Sequence, residues 1–154
     1  GNQIHDLTAI GGMKRLTYLD LRGNNIQGVE PLRELTILQE LRIEDNNVSD
    51  VSPLSGLKNL RILALSGNRL SEVSPLSSLD SLISLQLRGN RIRDIEPLLE
   101  LDNLKYLSIV ENPLGAQSCE SFVPNLEQQG VNVEVAARWQ KEDGSIAEAD
   151  SCSS

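Results

Sequence analysis

The sequence predicts an α/β repeat protein, in which 22-residue units stack into a solenoid with a parallel, concave β-sheet. Three observations indicate this fold class. Asparagine recurs every 22 residues, at positions 2, 24, 46, 68, 90 and 112. Leucine columns share the period, as in Leu19, Leu41, Leu63, Leu85 and Leu107. A Pro-Leu pair recurs in four successive units, at Pro31, Pro53, Pro75 and Pro97. The total length of 154 residues fits one domain.

Residues 1–13 are predicted to form a partial N-terminal repeat. Asn2, Ile4, Leu7, Ile10 and Met13 occupy the columns of the second half of a unit. Two interpretations remain open: the segment caps the stack, or an upstream array has been cut away. The retained apolar columns favour the second interpretation, because capping repeats usually present a polar outer face.

Residues 14–114 are predicted to form the 22-residue repeats themselves. The Leu-x-Leu alternation indicates a short strand with one buried face. Each asparagine follows the strand, where its amide is expected to bond backbone groups of its own turn and of the next coil. This structural ladder comprises Asn24, Asn46, Asn68, Asn90 and Asn112. Because proline fixes φ and removes a donor, the short return leg is expected to be a 3₁₀ or brief helical turn on the convex side.

Residues 115–135 depart from the repeat and predict a C-terminal helix-strand cap. Ser118, followed by Glu120 and Ser121, provides helix-start chemistry. Gly130 is suited to end that helix. The alternating valines at 131, 133 and 135 predict a last strand that covers the open edge of the sheet.

Residues 136–154 are expected to form an acidic tail packed on the cap. Residues 101–154 contain 9 acidic and 3 basic residues, whereas residues 1–100 contain 13 and 11. The only cysteines, Cys119 and Cys152, are expected to form a disulfide that holds this tail across the last coil. Such a bond would imply an oxidising compartment. The alternative is two free thiols in a cytoplasmic protein.

Composition argues against several function classes. One histidine and two cysteines are too few for an ordinary protein zinc site and leave little choice of general base. The carboxylates of Asp20, Glu44 and Asp45 could attract a hard cation, but nearby arginines are expected to neutralise them. We therefore expect no enzyme activity, no metal and no cofactor. A net charge of −8 argues against a nucleic-acid partner, and the absence of an 18-residue apolar run argues against a membrane span.

Outward-facing strand positions differ from unit to unit, while the framework columns stay constant. Structural demands on these positions are light, so their side chains are free to serve recognition, and tyrosine and arginine are enriched at binding hot spots. The alternative is an ordinary solvated sheet face. The predicted partner-binding residues are Tyr18, Asp20, Arg22, Glu40, Arg42, Glu44, Ile62, Gln86, Arg88 and Tyr106.

The unit Asn46-Asn47-Val48-Ser49-Asp50-Val51-Ser52-Pro53-Leu54 resembles the leucine-rich repeat family, in its internalin-like 22-residue subclass of bacterial surface and secreted proteins. The resemblance extends from residue 2 to about residue 114. It implies a right-handed solenoid. Together with the composition and the variable columns described above, it predicts a non-catalytic, monomeric module that binds a protein partner through the concave sheet face. It also implies an extracellular or cell-surface location in a bacterium, with a cytoplasmic location as the alternative. The alternative function is a structural spacer in a larger surface protein, without a ligand of its own.

Overall fold

A computed structural model describes the backbone of residues 2–140, 146–150 and 152, and the side chains of residues 2–136 and 152. One parallel sheet runs through the molecule, and its strands follow one another in chain order. The strands are β1 (Tyr18–Asp20), β2 (Glu40–Arg42), β3 (Ile62–Ala64), β4 (Ser84–Gln86), β5 (Tyr106–Ser108) and β6 (Asn132–Glu134). This architecture confirms the predicted repeat solenoid.

The register of the sheet repeats the 22-residue period of the sequence. Tyr18 pairs with Glu40, and Leu41 pairs with Leu63, so equivalent columns lie side by side. The last step is longer, since Tyr106 pairs with Asn132. The extra residues of this step lie in the connection that contains the cap helix. Equivalent outward-facing residues are therefore direct neighbours across the first five strands.

Short 3₁₀ helices form the return legs on the opposite side of each coil, as the prolines predict. They span Glu30–Glu34, Ser52–Leu54, Ser74–Leu76 and Glu96–Glu100, each with proline in its first turn. In the N-terminal half-unit a four-residue α-helix, α1 (Thr8–Gly11), takes this place. An aspartate two residues upstream accepts from the first amide of α1 and of two of the 3₁₀ helices, at Asp6, Asp50 and Asp94. In one of them, Asp50 Oδ1 accepts bonds from the Ser52 amide at 2.8 Å and the Ser52 hydroxyl at 2.6 Å.

The core is one continuous apolar cluster along the solenoid. The apolar residue that directly follows each interior strand is fully buried, as at Ile43, Leu65 and Leu87. In the first unit, Leu16 and Leu19 are only partly buried, although their column equivalents Leu38 and Leu41 are fully buried. The difference arises because each unit buries its apolar face against both neighbours, and β1 has a described strand neighbour on one side only.

The cap helix begins earlier than the sequence indicates. The chain is helical from residue 116, forms a π-helical turn at Ser118–Phe122 and continues as α2 (Val123–Gln128). The sequence places Ser118 at the helix start, but its side chain caps nothing. Its buried hydroxyl donates to the Arg93 carbonyl at 3.0 Å and accepts from the Ile95 amide at 3.3 Å. Ser118 therefore satisfies backbone groups of the preceding unit, a requirement that local helix signals do not reveal.

Cys119 and Cys152 form the expected disulfide, with their Cα atoms 5.3 Å apart. Between them, β7 (Ala136–Gln140) and β8 (Ile146–Asp150) pair as an antiparallel hairpin. Cys152 packs partly buried against the apolar core. The acidic tail was predicted to pack on the cap. Apart from Cys152, the side chains from residue 137 onward lie outside the described residues, so this prediction stays a prediction.

Candidate functional site: the concave face

The ten residues predicted to bind a partner lie on strands β1 to β5 or in the two residues that follow a strand. Because side chains alternate along a strand, the first and third strand residues share the face opposite the buried leucines. Tyr18 is 49% exposed, and Ile62 and Gln86 are half-buried. Ala64, Ser108 and Val110, in the same columns, are buried and contribute little accessible surface.

The two tyrosines stand at opposite ends of this face. They occupy the same column in β1 and β5, four strand spacings or about 19 Å apart. The Tyr18 hydroxyl makes only a long contact of 3.4 Å to Asp20, whereas Tyr106 donates to Glu134 Oε2 at 2.7 Å. Burial and the adjacent Glu134 carboxylate raise the pKa of Tyr106. Tyr18 is thus the more available of the two rings.

Two of the predicted arginines are paired with carboxylates two residues earlier in the chain. Arg22 Nη2 lies 2.7 Å from Asp20 Oδ2, and Arg42 Nε lies 2.5 Å from Glu40 Oε1. Hydrogen bonds from Arg22 hold the pKa of Asp20 far below its usual value. Both pairs are solvent-accessible, so each adds little to folding stability. Their main effect is to neutralise charge at this end of the face.

Glu44 lies beside these pairs without joining them. Its Oε2 atom is buried and has no hydrogen-bond partner among the described residues. Desolvation raises the pKa of the Glu44 carboxyl, although its own backbone amide, Arg22 and Arg42 partly offset the effect. The side chain therefore sits in a less favourable environment than any other carboxylate of this face with a resolved pKa shift.

The third predicted arginine pairs across units. Arg88 Nη2 lies 2.6 Å from Glu111 Oε1, and this contact lowers the pKa of Glu111. Glu111 has a φ of 59°, in the left-handed region, at the turn position that Gly67 and Gly89 occupy in their units. All three predicted arginines are thus engaged within the molecule.

A neighbouring row of residues was not predicted to bind. The residue before each strand is bonded through its backbone to the equivalent residue of the previous unit, as from Ile83 N to Arg61 O at 2.9 Å and from Lys105 N to Ile83 O at 2.9 Å. The row reads Thr17, Gln39, Arg61, Ile83 and Lys105. It varies between units as much as the predicted columns do. That variation is the sequence signal that could have identified it.

This row borders a shallow depression on the concave side. The depression has a volume of about 340 Å³ and is lined by Gln39, Glu40, Arg61, Ile62, Ile83 and Ser84. Its two isoleucines are half-buried, which leaves apolar surface in contact with solvent. A larger depression of about 470 Å³ lies at β6 and the start of the hairpin, and none of the ten predicted binding residues lines it. We favour the smaller one as the candidate site because two of the predicted residues, Glu40 and Ile62, line it.

The asparagine ladder lies behind this face, at the turn that leaves each strand. Asn68 Oδ1 accepts from the Val48 amide at 2.9 Å, and its Nδ2 donates to the Ile43 and Leu65 carbonyls at 3.0 Å each. Asn46, Asn90 and Asn112 repeat this pattern, and the half-buried Asn24 repeats part of it. The bonds reach the preceding coil. The expectation that they reach the next coil was wrong, because the amide points back toward the earlier unit.

Among the described residues, potential metal ligands do not gather in one place. Within the ranges given above, no three His, Cys, Asp or Glu side chains are grouped as a metal ion would require. The helices in the described part of the chain are short, and none of them has the length and apolarity of a membrane span.

Sequence comparison matches two models of the leucine-rich repeat family. The model described as Leucine Rich repeats (2 copies) matches residues 38–78, and the model described as Leucine Rich Repeat matches residues 15–35. No curated protein matches the sequence.

Many solved structures share the fold. An internalin (inlF) of Listeria monocytogenes is 28% identical with a TM-score of 0.78, over 86% of this chain and 38% of the internalin. An internalin C2 (inlC2) of the same organism is 31% identical with a TM-score of 0.74, over 84% of this chain and 56% of that protein. A third structure is the leucine-rich repeat ectodomain of an Arabidopsis thaliana receptor kinase, solved in complex with Casparian strip integrity factor 2. It is 26% identical with a TM-score of 0.62, over 73% of this chain and 14% of the ectodomain. The chain therefore spans from about a seventh to just over half of these relatives.

Proposed function

We propose that this chain, an internalin-like leucine-rich repeat protein, is a non-catalytic module that binds a protein partner through the concave face of its sheet. The observation that carries the proposal is the contrast between constant buried columns and variable outward columns in one regular scaffold. A rigid scaffold holds the variable side chains in fixed rows, so little ordering entropy opposes association.

The exposed ring of Tyr18 and the half-buried Ile62 supply apolar contact area on this face, with Tyr106 at its far end. Aromatic side chains of this kind contribute large contact areas at low entropic cost. The complex between a related ectodomain and its factor supports protein binding as the type of activity.

An extracellular or cell-surface location belongs to the same proposal. Its support is the disulfide between Cys119 and Cys152 and the similarity to internalins. Disulfides persist mainly in oxidising compartments. The spacer function in a larger surface protein is the competing proposal, and it predicts that the concave face binds nothing.

The test compares immobilised wild type with a Tyr18→Ala/Tyr106→Ala double variant. Proteins retained from host-cell and bacterial surface extracts are identified by mass spectrometry, and the affinity of each is then measured. Ile37→Ala is the matched control, because Ile37 is 43% exposed but lies outside the strand columns. We expect a partner whose affinity falls more than tenfold in the double variant and stays unchanged in the control. A partner equally retained by the double variant would refute the assignment of the face, and the absence of any partner would favour the spacer.

A further inference from the structure

We infer that the depression between β2 and β4 recognises an extended acidic segment of the partner, in which two carboxylates flank an aliphatic side chain. This inference rests on the proposed function and adds to it the chemistry of the segment that is bound. The binding residues are Arg61 and Lys105 for the carboxylates, and Ile62 and Ile83 for the aliphatic side chain.

The charge argument begins with the arginines of the concave face. Arg22, Arg42 and Arg88 each form an ion pair within the molecule. A partner carboxylate would have to displace an existing carboxylate to use any of them. Arg61 and Lys105 are exposed and take part in no ion pair among the described residues. They are therefore the cations of this side of the sheet whose charge a partner can use without displacement.

The geometry sets these two cations on either side of an apolar surface. Arg61, Ile83 and Lys105 follow one another through backbone hydrogen bonds of 2.9 Å. The two cations are thus two strand spacings, or about 10 Å, apart. Ile83 lies between them, and together with Ile62 it lines the depression of about 340 Å³.

An extended peptide matches this arrangement through its two-residue side-chain period. Side chains at positions i, i+2 and i+4 point to the same side and span about 13 Å. Long flexible cations about 10 Å apart at their Cα atoms can reach the outer two, while the middle side chain enters the depression. The recognised pattern is therefore acidic-x-aliphatic-x-acidic.

The net charge of the whole chain disfavours binding of an acidic peptide elsewhere on the molecule. At −8 the molecule repels an acidic peptide in general. Binding of such a peptide must therefore come from a local positive surface and must weaken as salt is raised. A basic peptide would instead be attracted to many places on the acidic surface.

The experiment titrates ¹⁵N-labelled, disulfide-intact protein with the capped peptide Asp-Ser-Leu-Ser-Asp and follows amide chemical shifts. We expect saturable shifts at residues 39, 61, 62, 83, 84 and 105. Arg61→Glu and Lys105→Glu should each weaken binding at least tenfold. Arg69→Glu is the matched control, because Arg69 is also exposed and forms no ion pair among the described residues, but lies past the asparagine turn. It should leave binding within twofold of wild type.

Two further peptides test the order of the side chains. Asp-Leu-Ser-Ser-Asp keeps the composition but turns the leucine to the other side, and Lys-Ser-Leu-Ser-Lys reverses the charge. The inference is overturned by an absence of shifts at millimolar peptide, by equal binding of either control peptide, or by an equal loss in Arg69→Glu. If a protein partner depends on Tyr18 and Tyr106 but not on Arg61 or Lys105, this inference fails while the proposed function stands.

Discussion

Replacing Asn68 by alanine removes one rung of the asparagine ladder from the middle of the solenoid. Asn68 is only 7% exposed, so water cannot readily replace its hydrogen bonds. The Val48 amide, which donates to Asn68 Oδ1 at 2.9 Å, loses this acceptor and becomes a buried unpaired donor. An unpaired buried donor costs roughly 1 to 3 kcal/mol.

The two backbone carbonyls that accept from Asn68 Nδ2 are less affected by the substitution, because each has another donor. The Ile43 carbonyl keeps the amide of Asn46, and the Leu65 carbonyl keeps the amide of Asn90. Each therefore retains one donor after the substitution. The unpaired Val48 amide and the small void left by the side chain act together. We therefore expect Asn68→Ala to lower the free energy of unfolding by about 2 to 4 kcal/mol.

The assay is urea unfolding at neutral pH, followed by circular dichroism, with the slope of the transition compared between variants. Asn47→Ala is the control, because its side-chain amide donates to the exposed Asn25 side chain at 2.9 Å rather than to buried backbone. That variant should lie within about 0.5 kcal/mol of wild type. An Asn68→Ala protein as stable as Asn47→Ala would refute the view that the ladder satisfies buried backbone groups.

Two predictions concern other parts of the fold. Replacing Cys119 and Cys152 by serine should lower the free energy of unfolding by roughly 3 to 4 kcal/mol in the chain-entropy model, since the bond joins residues 33 apart. Thiol counting on denatured, unreduced wild type should find that neither cysteine is free. Glu44→Gln should stabilise the protein at pH 7. The pKa of Glu44 is higher in the folded protein than its unfolded value of 4.5, so the ionised carboxylate destabilises the folded state increasingly as pH rises above 4.5. The gain should shrink toward pH 4 in unfolding titrations, and a gain independent of pH would contradict the desolvation argument.

The fold was predictable because its determinants are periodic. A column such as Leu41, Leu63 and Leu85 fixes both the burial of the strand and its register with the next unit, since one 22-residue step carries every contact into the next coil. The cap was predicted less well. Ser118 looks like a helix start, yet its hydroxyl serves the carbonyl of Arg93 and the amide of Ile95 in the preceding unit. A bond between residues more than twenty positions apart outside the repeat leaves no periodic signal.

The candidate site, like the fold, was predictable in part. Variation between units located the outward columns, but it did not separate available charges from neutralised ones. Arg22 with Asp20 and Arg42 with Glu40 share one face of the extended chain at a two-residue spacing, so those pairs follow from the strand period alone.

The pair of Arg88 with Glu111 follows from no such local rule, because it joins one unit to the turn of the next. Counting arginines therefore overstates the positive charge that a partner meets on the strands. Once the internal pairs are assigned, Arg61 and Lys105, one residue before the strands, stand outside every ion pair among the described residues, which is why the proposed acidic segment is assigned to them. Under the proposed function, the contact face is therefore set by the variable residues that the scaffold leaves unpaired, so recognition would depend on the differences between units rather than on the columns that they share.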